Sequence, residues 1–272
     1  MPAGHAQTFV DACKAANLTH VCFVRHANSA PMREGANKRA DAPHGWKLDD
    51  QMRCLTQKGY DQCSAASASW FASLPLRAIL SSPARRAAET AMRMKAAYET
   101  EDSKAEALYL RMVESSHPAG MSELCESLFE TMGYGPLQNF FDAEGGEQAF
   151  MDYGDRVCDE MGKAMSGPAF ATTSGEGDGT CIALFGHAVF LNAIAYKVAQ
   201  AAGSSDDMKK FLLSMDLGET QGIWIDLATG ECEHKKADTT APAPAPAPEP
   251  EPAPAPEPVA APEEPAAAAA AE

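Results

Sequence analysis

Three short stretches of the chain place arginine and histidine directly after apolar residues. VCFVRHANSAP (21–31) carries Arg25 and His26, SSPARRAAETA (81–91) carries Arg85 and Arg86, and FGHAVFLNAIA (185–195) carries His187. Guanidinium groups hold charged oxygens through planar, fixed donors. A neutral imidazole beside them is a competent nucleophile and can accept a phosphoryl group. Taken singly, each stretch also fits a strand end or a helix start at the surface. The chemistry requires that the fold bring all three together.

The elements needed to do so are legible. HVCFV (20–24), LRAILSS (76–82), TCIALFG (180–186) and GIWIDLA (222–228) are compact apolar runs of strand length. A short helix is expected over 7–17. Thr56 is placed to cap a second helix within LTQKGYDQCSAASASWFASL (55–74), and Pro83 opens a third in ARRAAETAMRMKAAY. Met92 and Met94 read as packed residues of that helix, and Arg85 as its solvated neighbour to Arg86. A largely helical insertion is expected around 98–173. It contains EALYLRMV (106–113), a strand or short helix, and helices over 121–132 and 148–165. Residues 187–202 read as a further helix.

Strands alternating with long helices predict an α/β fold: a three-layer sandwich with a mostly parallel central sheet flanked by helices. Functional groups in such sheets gather beyond the carboxyl ends of the strands, where helix N-termini can receive anions. Arg25, His26, Arg86 and His187 are therefore expected in one pocket. The polar segment 27–54, with Pro31, Gly35, Pro43 and Gly45, is long for a loop and suits a functional cover. Its Arg33, Lys38 and Arg39 could contact an anionic substrate there. Asp49 and Asp50 read as a solvated acidic pair.

Composition bounds the rest. Residues 241–272 hold 11 of the 19 prolines, six glutamates and no basic residue. With little to bury, this tail is expected to be an extended, disordered spacer, leaving a catalytic domain over 1–240. Contact with a protein through its Ala-Pro repeats is a weaker reading. The net charge is −16, six units of it from the tail, which disfavours a general nucleic-acid binder. The eight cysteines are dispersed without a CxxC, as expected of free thiols, and Cys22 and Cys181 sit in core-like runs. No run approaches a membrane span, and the first residues lack the pattern of a secretory signal, so cytoplasm is the default expectation. His5, His20, His44, His117 and His234 show no ligand spacing. No dinucleotide or P-loop motif is present. Neither cofactor nor metal is expected: a cation placed between His26 and His187 would be repelled by Arg25.

On FVRHANS, SSPARRAAETA and FGH, occurring in that order, the chain resembles the histidine phosphatase superfamily, the group of phosphoglycerate-mutase-like enzymes. LTQKGYDQC resembles the intervening leucine-threonine-glycine segment of many members, and the similarity spans roughly Val21–Asp226. Ala27 stands where glycine is common in the family. The resulting RHA resembles the phosphohistidine-phosphatase branch, whereas GGEQAFMDYGDRV (145–157) resembles the mutase-like branch.

The resemblance implies that His26 is the nucleophile. It implies that Arg25, Arg86 and His187, the last protonated or acting as a donor, bind the phosphoryl oxygens, with Asn28 a further donor. It also implies a carboxylic acid after the second-arginine helix: Glu114, or Glu123, or none if the leaving group is an imidazole. The expected function is a metal-independent phosphatase that hydrolyses a phosphomonoester or a phosphohistidine through a phosphohistidine intermediate, its partner a small phosphorylated substrate or a phosphoprotein. A phosphoglycerate-mutase-like phosphotransferase and a catalytically weak phosphate- or phosphoprotein-binding module are the alternatives.

Overall fold

The computed structural model describes residues 4–32, 45–98, 109–117, 122–166, 170 and 180–237. Its centre is a six-stranded sheet of β1 (His20–Arg25), β2 (Leu76–Ser81), β3 (Tyr109–Met112), β4 (Cys181–Gly186), β5 (Gly222–Asp226) and β6 (Cys232–Lys235). The spatial order is β3-β2-β4-β1-β5-β6. The first four in that order run parallel, β5 runs antiparallel to β1, and β6 runs antiparallel to β5.

Side-chain alternation splits the central strands between two cores. Val21, Phe23, Ile182 and Leu184 face one layer, and Cys22, Val24, Cys181, Ala183 and Phe185 face the other. The first layer is built by α1 (His5–Ala15), α7 (Gly146–Met165), α8 (Phe190–Ala201) and α9 (Asp206–Ser214). The second holds α3 (Gln57–Ser69) and α4 (Arg85–Tyr98). A sheet covered on both faces explains why β1 and β4 read as continuous apolar runs rather than as alternating ones. The architecture is the expected three-layer sandwich.

Details differ from the sequence reading. The segment 27–54 is not wholly irregular, because α2 (Gly45–Gln51) forms near its end. Within EALYLRMV, Tyr109–Met112 form a strand, β3, followed by a 3-10 turn over Glu114–Ser116. The helical segments after it are α5 (Glu123–Met132), the short α6 (Leu137–Phe141) and α7. Met94 is buried in α4 but Met92 is exposed, since residues two apart point to opposite sides of a helix. All eight cysteines are free thiols. Arg33, Lys38, Arg39 and the tail 241–272 lie outside the described residues. Among the described residues no helix is long and apolar enough to cross a membrane.

Thr56 caps α3 as anticipated: its Oγ1 accepts from the Gly59 amide at 3.2 Å and donates to Asn28 Oδ1 at 2.6 Å. Gly59 itself is dictated by packing. A Cβ there would lie 2.2 Å from the Asn28 carbonyl oxygen. The helix thus approaches the segment after His26 as closely as backbone allows.

Candidate active site

The parallel register brings the three stretches to one edge. Arg25 pairs with Gly186 at the ends of β1 and β4, and Ser81 of β2 pairs with Phe185. Two further backbone bonds extend this beyond the strands. The His26 amide donates to Gly186 O at 2.9 Å, and the Ser82 amide to Phe185 O at 2.8 Å. His26, Arg86 and His187 therefore meet, and all three are buried.

His26 Nδ1 lies 2.7 Å from the carbonyl oxygen of Ala27. A carbonyl only accepts, so Nδ1 carries the proton and Nε2 keeps its lone pair. That Nε2 accepts from Arg86 Nε at 3.1 Å. Burial, with the Arg86 guanidinium next in effect, lowers the His26 pKa to about 3, although the bond to Ala27 O pulls the other way. His26 is therefore a neutral ring whose unprotonated nitrogen faces a cation.

His187 sits 5.2 Å from His26, centroid to centroid. Its Nδ1 is 3.1 Å from Arg86 Nη2 and its Nε2 is 3.0 Å from Ser82 Oγ. Guanidinium nitrogens only donate, so Nδ1 accepts and Nε2–H donates to Ser82. Burial first, then Arg86, holds the His187 pKa well below the ordinary histidine value. Of the two expected forms, the neutral donor is the one this geometry supports. The backbone just after it is strained: Val189, a β-branched residue, has φ of 56°. It is held by burial and by the Ala193 amide bonding its carbonyl at 3.0 Å.

Arg86 is the hub. Besides the two histidines, its Nη2 donates to Asp50 Oδ2 at 2.9 Å and its Nη1 to the Asp50 carbonyl oxygen at 2.5 Å. Asp50 is thus buried rather than solvated, because α2 packs its C-terminal turn onto Arg86. Arg53 Nη1 holds the other carboxylate oxygen at 2.9 Å. Burial alone would raise the Asp50 pKa. The adjoining His117, Arg86 and Arg53 outweigh it and hold the carboxyl well below the usual range. His117 is buried too, 5.8 Å from the His187 ring, with Nε2 3.7 Å from Asp50 Oδ2. From sequence, Asp50 reads as half of a solvated acidic pair and His117 as a histidine without ligand spacing, and neither is expected at this site. The available signal was topological: β3 runs parallel to β2, so the residues after it emerge at the same edge as Arg86.

The other candidates fall around this cluster. Arg25 is close enough to help depress His26, but its Nη1 donates to Leu217 O at 2.6 Å and its guanidinium stands 5.5 Å from the Tyr134 ring. The Asn28 amide nitrogen donates to Glu219 Oε1 at 3.0 Å, and its oxygen accepts from Thr56, so it ties the His26 segment to α3. Glu114 is exposed, with its backbone amide bound to Glu160 Oε1 at 2.7 Å, and Glu123 is exposed at the start of α5. Arg85 is exposed and paired with Glu89 at 2.7 Å. Among the described residues no group of three or more His, Cys, Asp or Glu side chains is arranged to hold a metal ion.

Comparison with known proteins adds an independent finding. No curated protein matches the chain. Solved structures of similar fold include the SixA protein of Agrobacterium tumefaciens, 14% identical, covering 79% of this chain and 94% of that one, with a TM-score of 0.38. A mycobacterial glucosyl-3-phosphoglycerate phosphatase is 12% identical, covering 80% and 97%, with a TM-score of 0.45. A protein called mycobacterial hydrolase 2 is 13% identical, covering 76% and 81%, with a TM-score of 0.46. None is similar enough to carry an activity across. The family described as histidine phosphatase superfamily (branch 1) matches residues 21–208, more than half of the chain and a span that contains Arg25, His26, Arg86 and His187. The chain belongs to the histidine phosphatase superfamily.

Proposed function

We propose that this protein is a phosphatase that passes the phosphoryl group of a phosphomonoester or a phosphohistidine through His26. The observation that carries the reading is the tautomer of His26. Ala27 O fixes the proton on Nδ1 and leaves the Nε2 lone pair aimed at the arginine that would hold the phosphoryl oxygens.

In the first step Nε2 attacks phosphorus as the bond to the leaving oxygen or nitrogen breaks, its electron pair going to the leaving atom. Arg86 and Arg25 stabilise the charge spread over the phosphoryl oxygens, and the His187 ring closes the cradle. In the second step water attacks phospho-His26, gives up a proton, and releases phosphate with the original ring restored. The cationic charge of the two arginines serves this chemistry without a metal. The exposed position of Glu114 and Glu123 favours substrates with a good leaving group, of which phosphohistidine is one. Catalysis is assigned to residues 1–240, with 241–272 as a spacer.

Phosphate release from a panel of phosphomonoesters and a phosphohistidine peptide, parent against His26→Ala, tests the reading. Turnover in the parent and its loss in the variant is expected. Undiminished turnover in His26→Ala removes the nucleophile. Substrate isomerisation without net phosphate points instead to mutase chemistry. Tight binding without turnover by the parent points to a binding module.

A further inference from the structure

The Asp50 carboxylate is an anion built into the place where a substrate anion is needed. Arg86 offers donors on two edges, and four of its five N–H groups are taken by the protein. Nε goes to His26 Nε2, Nη2 to His187 Nδ1 and Asp50 Oδ2, and Nη1 to the Asp50 carbonyl. The Nε–Nη2 edge is the one on which a phosphoryl group would lie for attack by His26. Its Nη2 end faces Asp50 Oδ2. The same oxygen is faced from another element by His117 Nε2, at 3.7 Å, from the turn after β3. A buried imidazole and a buried guanidinium converge on one carboxylate oxygen, which is the donor arrangement of an oxyanion site.

We propose that Asp50 Oδ2 occupies the position of a substrate phosphoryl oxygen, and that His117 donates to that oxygen when substrate takes the place of Asp50. The inference rests on the phosphate-binding role of Arg86 in the reading above, and does not require that His26 be the nucleophile. A planar carboxylate presents two oxygens, and Arg53 holds the second at 2.9 Å. A tetrahedral phosphoryl group presents three oxygens and is bulkier, so an oxygen placed near the Oδ2 position reaches further toward His117 Nε2, now 3.7 Å from Oδ2. Asp50 stands on α2 rather than in a strand of the sheet. Its withdrawal therefore leaves the backbone bonds that set His26 and Ser82 intact. The consequence is competition. The protein's own carboxylate must leave Arg86 before phosphate binds, so the unliganded site is self-occupied and its anion affinity is reduced by that contest.

The test is calorimetric titration of inorganic phosphate, at one pH and one ionic strength, into the full chain and three variants. Asp50→Asn and Asp50→Ala both remove the competing charge, and Asn keeps the shape should Ala fail to fold. Each is expected to lower the phosphate Kd by about tenfold, the scale of one charge-assisted hydrogen bond. His117→Gln, added to Asp50→Asn, is expected to raise it again by about tenfold. Thermal unfolding alongside confirms that each variant is folded.

If Asp50 merely holds Arg86 in position, Asp50→Asn weakens phosphate binding, the opposite sign, and the proposal is overturned. It is also overturned if phosphate titrates in none of the proteins, or if His117→Gln changes nothing. Turnover by His26→Ala, measured separately, fails or stands without affecting this outcome.

Discussion

Two buried neutral histidines at one site make the fold sensitive to mild acid, and the size of the effect follows from the site. His26 is held at about 3 and His187 well below the ordinary value of 6.5. In the unfolded chain both take up a proton near 6.5. Between pH 6.5 and the folded values the unfolded state therefore binds more protons, and stability falls as pH falls. Integrated from pH 6 to pH 5, the His26 ring removes about 1 kcal/mol, and His187 adds a loss of the same sign. Against a typical domain stability of about 5–15 kcal/mol, a loss of that size is measurable. Asp50 does not contribute in this window. Its depressed pKa adds stability that is present above the ordinary carboxyl value of 3.8 and is lost only below it.

His26→Asn isolates one ring, since an amide does not titrate and can still donate to Ala27 O. Urea unfolding at pH 6 and pH 5 is expected to show a loss that is smaller in the variant than in the parent by about 1 kcal/mol. His20 and His234 are also lowered, chiefly by burial, but are the same in both proteins and cancel. An equal pH dependence in parent and variant would refute the reasoning. It would mean that His26 protonates as readily in the folded site as in water, and the neutral-nucleophile argument would go with it.

Other consequences are open to direct measurement. Arg86→Ala strips donors from His26 and His187 and from the proposed phosphoryl site. A fall in kcat/KM of about 10²–10³ is expected, read by phosphate release. Gly59→Ala puts a methyl 2.2 Å from Asn28 O and is expected to lower stability by about 1–3 kcal/mol in urea titration, with α3 forced off the His26 segment. Glu114→Gln is expected to leave rate and pH profile unchanged, because that side chain is exposed. Truncation before Ala241 is expected to leave turnover and unfolding midpoint as they are.

The parts of this molecule that could be read from sequence are those where one local property decides the structure. β1 and β4 are apolar on both faces because both faces are covered, and that leaves a continuous run in the sequence. Thr56 was legible as a cap because an N-cap needs only its own helix. α9 carried a comparable signal in Ser205, whose side chain accepts from the Met208 amide at 3.3 Å, with Asp206 and Asp207 in the first turn. β6, at four residues, carried none and exists because β5 offers it an edge. Asp50 shows the limit most clearly. Its neighbours in sequence are polar, and nothing near it announces a buried partner. The partner is Arg86, 36 residues away on another helix. His117 was passed over for the same reason. Its environment is supplied by α2 and by the turn into α8, not by its own segment.

What the sheet contributes to the site is therefore not the chemistry but its tolerance. His26, Ser82 and His187 each follow the last residues of a central strand, and β2, β4 and β1 are adjacent and parallel. A backbone bond from the residue after β1 to the end of β4, and another from the residue after β2 to Phe185, fix those loops where they leave the sheet. Arg86 then needs only one turn of α4 to reach both imidazoles, and Thr90 on the next turn accepts from the Ala27 amide at 3.0 Å. That bond links α4 to the residue whose carbonyl sets the His26 tautomer. The helix that carries Arg86 thus also holds the peptide that orients His26, the proposed nucleophile. A shift of α4 would move both together, so the distance from Nε2 to Arg86 is protected against the small displacements that loops allow.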